Sequence, residues 1–245
     1  DGKLTIDAGL FELESPETKS GIINNVTIKA SSTGGIIDLK AADGHFNVNT
    51  ANLGNDIIAG TITGTAETVN VQNDNAEIQD GVDVAASEAT VNVAAGTFEE
   101  SVTIDKPLSL LGNNEGNDPN NNVSRLDETI IKDGGVGFSH TALSDDVTIA
   151  GFTFKSTFGI NANRAGDDLN IANNRFIETT GVSSIAHGMQ KPQKLSTGWV
   201  VENNLFVDHT DTGVSAMNLW NLENVTVRNN VIRNIDFNGA NFDTV

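Results

Sequence analysis

The sequence predicts an all-β chain folded as a solenoid, in which very short strands wind into coils that stack on one another. Three observations point there. Glycine is frequent (24 residues) and proline rare (4), with no collagen-like period, so turns should be many and helix scarce. Apolar and polar residues alternate in short runs, the period of a strand rather than a helix. Four segments also align with one another: "DVTIAGFTF" (Asp146–Phe154), "DLNIANNRF" (Asp168–Phe176), "WVVENNLF" (Trp199–Phe206) and "NVTVRNNVI" (Asn224–Ile232).

Each segment carries two alternating apolar residues, then Gly or Asn, then a further apolar residue. The inner positions Ile149, Ile171, Val201 and Val227 are separated by 22, 30 and 26 residues. A repeat of that length is one coil, and one coil has no way to bury its own apolar face. Stacking about 4.8 Å apart buries it. Ile149, Ile171, Val201 and Val227 should then form one inward column, and Phe154, Phe176, Phe206 and Ile232 another. Asn173, Asn203 and Asn229 fall at the same turn, with Gly151 in the first coil. Asn tolerates the left-handed conformation of a sharp turn, and stacked amides can bond as a ladder, so these three are assigned a structural role. The competing arrangement is a β-sandwich with coincidental alternation.

The segment Thr90–Asn114 fits three strands into one coil: Val91/Val93, Val102/Ile104 and Leu108/Leu110, with Gly96 and Gly112 at the bends, Phe98 inward, and Glu99 and Glu100 in water. Upstream, Ile78–Ala89 ("IQDGVDVAASEA") reads as a short amphipathic capping helix. Together with "DDVTIAGFTFKST" (Asp145–Thr157), this stretch resembles the opening rungs of the pectin-lyase-like right-handed parallel β-helices, especially the pectinesterase type. The resemblance covers roughly residues 75–245. It implies a right-handed parallel β-helix with a short N-terminal capping helix. It also raises the prospect of a polyuronate lyase or esterase. The pectinesterase motifs resembling "GxQDTL" and "DFIFG" do not occur in the chain, and "TTGVSSIAHG" (Thr179–Gly188) stands where the first should follow. "FVDHT" (Phe206–Thr210) resembles the "WIDH" motif of pectate lyases, but Phe206 aligns with the inward Phe154 and Phe176. Asp208 and His209 should therefore fall in an ordinary turn.

Residues 1–74 are a preceding β-rich segment that does not align cleanly with the later coils. It reads as either a continuation of the solenoid or a small β-sandwich, with the boundary at "QNDNAE" (Gln72–Glu77) before a β-helix over 75–245.

Net charge is −19, which disfavours a nucleic-acid partner. The absence of cysteine excludes disulfides, a thiol nucleophile and cysteine-ligated zinc. No apolar run is long enough for a membrane span. Two turns are enlarged, Asn113–Glu128 and Ser183–Thr197, and long turns often carry function. Their cations, Arg125 in the first and Lys191 and Lys194 in the second, with His187, are candidates for binding a polysaccharide. Asp145, Asp146, Asp167 and Asp168 precede equivalent strands. Stacked, they would repel, and a calcium ion would relieve the repulsion. The last residues lie inside a coil with no polar cap in view, so further chain or another subunit should cover that end, the latter giving end-to-end filaments. The leading expectation is a non-catalytic extracellular or cell-surface protein, structural or adhesin-like. The alternatives are a polysaccharide-active enzyme and a carbohydrate-binding module.

Overall fold

The computed structural model describes residues 3–7, 21–23, 35–40, 45–48, 60–64, 66–71, 74, 76–121, 124–139, 144–155, 158–179, 183–187, 195–209, 215–235 and 240–243. Among them the chain is mostly strand, in parallel sheets, with one short helix. It divides into two compact units, Asp1–Ala95 and Gly96–Val245.

In the first unit, Lys3–Asp7, Gly35–Lys40 and Gly60–Gly64 pair in parallel. Gly21–Ile23, His45–Val48, Ala66–Val71 and Ala85–Val93 form a second parallel set. Through Ala66–Val71 successive strands alternate between the two sheets, Ala85–Val93 then stays in the second, and all the described pairs here are parallel. The helix spans Ile78–Val84, not the whole of Ile78–Ala89. It stops because Ala85 turns extended (ψ 143°) and Ala85–Val93 pairs with Ala66–Val71 instead. Alternating burial of Ala89, Val91 and Val93 favours the strand over another helical turn. Gly81 lets the helix lie close on that sheet: a Cβ there would come within 2.8 Å of the Val71 side chain.

In the second unit the chain visits three main sheets in rotation, with a further two-stranded parallel sheet of Ser196–Thr197 and Leu222–Glu223 interposed between the third and the first. The first holds Leu108–Gly112, Thr148–Ala150, Asn170–Ala172, Val200–Glu202 and Thr226–Arg228. The second holds Gly96–Phe98, Thr129–Lys132, Phe152–Lys155, Arg175–Ile177, Leu205–His209 and Val231–Ile235. The third holds Ser101–Ile104, Gly135–Phe138, Ile160–Asn161, Ser183–His187, Ser215–Trp220 and Ala240–Asp243. All pairs are parallel.

Register follows the apolar repeat. Ile149, Ile171, Val201 and Val227 are mutual neighbours along the first sheet. Phe98, Ile131, Phe154, Phe176, Phe206 and Ile232 are neighbours along the second. Val102, Val136, Ile160, Ile185 and Met217 complete the interior from the third. The rings of Phe154, Phe176 and Phe206 stack nearly parallel, with centroids 4.9 and 4.7 Å apart. That spacing is set by the strand separation, and each fully buried ring contributes about 1.5–3 kcal/mol of transfer free energy. Gly159 makes room for the stack, since a Cβ there would meet the Phe176 ring at 2.4 Å. Val227 departs from its column: it is 37% exposed whereas Ile149, Ile171 and Val201 are fully buried, because no described strand lies beyond it.

Candidate functional site

Among the described residues, the turn joining the first and second sheets is the most repetitive polar feature. Its first residue takes the left-handed conformation: φ is 82° at Gly151, 58° at Asn173, 55° at Asn203 and 56° at Asn229. The amide ladder, however, runs one residue further along than Asn173, Asn203 and Asn229. Asn174 Oδ1 accepts the Phe152 amide, Asn204 Oδ1 the Asn174 amide, and Asn230 Oδ1 the Asn204 amide, each at 2.9 Å. The Nδ2 groups of Asn174, Asn204 and Asn230 donate to the carbonyls of Ile149, Ile171 and Val201. The two residues of each Asn-Asn pair divide the work. The first supplies the backbone turn, which places its side chain outside, and the second turns inward to satisfy groups the turn would orphan.

The loop 113–128 lies across this turn column. Asn120 Nδ2 donates to the carbonyls of Asn204 (3.2 Å) and Asn229 (3.1 Å). Asn173 Nδ2 donates to the Glu115 carbonyl. Arg125 is the centre of the loop rather than an outward-facing cation. Its Nε and a terminal nitrogen grip Glu128 at 2.9 and 3.1 Å, and its other terminal nitrogen donates to the carbonyls of Asn117 and Asn173. Glu128 also accepts from Thr153 Oγ1 (2.8 Å) and Arg175 (3.1 Å) on the outer face of the second sheet. Burial pushes the Glu128 carboxyl up, but the hydrogen bonds from Arg125, Thr153 and Arg175 and the Arg125 charge outweigh it and hold the group below its ordinary value. No sequence signal joins Glu128 to Thr153 and Arg175, which are 25 and 47 residues away.

Two of the four aspartates, Asp145 and Asp167, form a second ladder. Asp145 Oδ1 accepts the Asp167 amide, and Asp167 Oδ1 accepts the Thr197 amide, both at 2.9 Å. Asp146 and Asp168 carry the left-handed turn (φ 53° and 57°) and leave their side chains exposed. The backbone amides of Asp167 and Thr197 thus offset the charge of the Asp145 and Asp167 carboxylates. Among the described residues no group of three or more His, Asp or Glu side chains converges as a metal site.

His209 does not fall in a turn. It ends the strand Leu205–His209, pairs with Ile235 and is fully buried. Asp208 takes a left-handed φ of 61°, a local kink that lets the next side chain turn away from water. His209 Nε2 lies 3.2 Å from the Phe176 carbonyl, and Ser184 Oγ lies 3.3–3.4 Å from both ring nitrogens and 3.1 Å from Thr179 Oγ1. Burial lowers the pKa of His209 despite the Phe176 bond and the Asp208 charge, which favours the neutral ring.

Lys191 and Lys194 lie outside the described residues. His187 ends the strand Ser183–His187, with its backbone paired to Leu219. No protein-family model, curated protein or solved structure matches the chain.

Proposed function

We propose that the chain is a right-handed parallel β-helix serving as a non-catalytic structural or adhesin-like module, outside the cell or at its surface. The three-sheet rotation and in-register columns support the helix, and the strong preference of parallel crossovers supports its hand. They also support the likeness to pectin-lyase-like proteins at the level of fold, which does not by itself carry an activity.

The observation that carries the functional reading is where the polar groups go. Asn174, Asn204 and Asn230, Asp145 and Asp167, and Arg125 with Glu128 all bond one coil to another or hold a loop against the coils. His209, the one histidine whose side chain is among those described, is sealed in the interior with Ser184 and Thr179. These groups build a scaffold. Incubating the purified chain with polygalacturonate and alginate tests this: no chain shortening is expected. Cleavage that disappears in an Arg175→Ala or Asp208→Asn variant would replace this reading with the enzymatic one.

Self-association is a further part of the proposal, supported by Val227 and Val231. Both are 37% exposed although their register partners Val201 and Leu205 are buried. A coil placed on that face, from this chain or another copy, would bury them. Negative-stain images with calcium and with chelator distinguish long rods from single short ones. Dependence of long rods on calcium would implicate the Asp145–Asp168 ladder.

A further inference from the structure

A groove of about 220 Å³ runs along the outer face of the third sheet, bordered by Ser101, Thr103, Gly135, Gly137, Phe158 and Asn161. Register explains its shape. Thr103, Gly137 and Asn161 form one row across three neighbouring strands, and Ser101 and Gly135 lie in the next. The middle strand therefore contributes glycine where its neighbours contribute side chains, and the missing side chains leave a trough between them.

The two floor glycines have different reasons to be glycine. At Gly135 a Cβ would sit 2.2 Å from the Phe158 carbonyl oxygen, so packing alone requires it. At Gly137 a Cβ would meet nothing closer than the Val102 carbonyl at 4.0 Å, and its φ is not left-handed. A strand-interior glycine with no steric or conformational need weakens the strand. What it provides is close approach of something to the backbone.

We infer that this groove is a binding site for a neutral sugar unit of a glycan. The lining is suited to one. Hydroxyls of Ser101 and Thr103 and the amide of Asn161 face the rim of the trough, and a half-buried phenylalanine borders it. Asn161 Oδ1 is engaged by Asn163 Nδ2 at 2.7 Å, which fixes the amide and leaves Asn161 Nδ2 as the donor. A sugar ring offers an apolar C–H face to a bare backbone floor and a rim of hydroxyls to such partners. The net charge of −19 repels a polyuronate and has no such effect on a neutral glycan. The volume is below the roughly 300–1,000 Å³ typical of drug-sized ligands, which suits a single ring of a longer chain. This site is distinct from the enlarged turns and holds whether or not the scaffold reading above is right.

The test is calorimetric titration of the full chain with cellohexaose, xylohexaose and mannohexaose, and with an oligogalacturonate of the same length. At least one neutral hexasaccharide should bind more tightly than the charged one. Gly137→Val should keep the thermal midpoint or raise it, since the site has room and valine favours strands. It should weaken binding by roughly tenfold or more, the effect of losing a central contact. Amide shifts on titration should centre on Thr103, Gly135, Gly137 and Asn161, a readout that stands even if the variant folds poorly. No binding by wild type, equal binding by the valine variant, or shifts centred elsewhere would each overturn the inference. Shortened products in the titration cell would instead refute the non-catalytic reading and leave the binding site standing.

Discussion

Replacing Asn204 by alanine isolates the ladder. Asn204 is fully buried, and four side-chain bonds meet there. Alanine removes the acceptor of the Asn174 amide and the donor to the Ile171 carbonyl, both inside the stack. An orphaned buried amide costs about 1–3 kcal/mol, and each further lost bond about 1 kcal/mol, so the loss should be about 2–5 kcal/mol. Asn203 is the control. Its left-handed φ of 55° is the conformation glycine adopts freely, so Asn203→Gly should change stability by only a few tenths of a kcal/mol. Urea unfolding followed by circular dichroism gives both values at constant m. If Asn203→Gly destabilises as much as Asn204→Ala, the division of labour within the Asn-Asn pairs is wrong.

Three further outcomes follow from the same geometry. Phe176→Ala removes the middle ring of a fully buried three-ring stack and should cost about 3–5 kcal/mol in the same assay. Gly134→Ala should prevent normal folding, because a Cβ would lie 1.6 Å from the Glu100 carbonyl oxygen, while Gly116→Ala, with nothing within 4 Å, should stay within about 0.5 kcal/mol of wild type in thermal melts. Stability should fall on acidification in two windows. His209 has a depressed folded pKa, so its contribution is complete above the ordinary value of about 6.5 and is lost as pH drops through the folded value. Glu128 is likewise depressed, so its contribution is complete above 4.5 and is lost as pH falls through its folded value. Urea midpoints measured from pH 8 to pH 3 should show both, and His209→Gln should flatten the first.

The apolar columns were legible in the sequence because they are period-2 patterns that recur along the chain, and parallel in-register pairing sets Ile149, Ile171 and Val201 side by side. The turn residue was legible for the same reason. Gly151 stands where later coils have Asn173, Asn203 and Asn229, and glycine marks a left-handed position. That clue also held the ladder's true place. Once the first Asn of each pair supplies the turn, the second is the one free to face inward, and Phe152 replaces it only where the ladder begins. The braces were not legible. Arg125, Glu128, Thr153 and Arg175 come together only because the loop folds back over later strands. His209 departs from the turn expected of it because a single left-handed residue, Asp208, shifts the face on which His209 lies.

The central claim is that consecutive coils stack in parallel and in register, and engineered cross-linking tests it most directly because the chain has no cysteine of its own. Thr148 and Asn170 are register neighbours on the outer face, so their Cα atoms lie about 4.8 Å apart, inside the 4.4–6.8 Å range a disulfide spans. The double variant Thr148→Cys/Asn170→Cys should oxidise readily to an intramolecular bridge in the folded chain. Thr148→Cys/Ile171→Cys, one residue out of register with side chains on opposite faces, should not. Equal oxidation of the two pairs, or of the second alone, would contradict the stack on which the fold and the proposed function both rest.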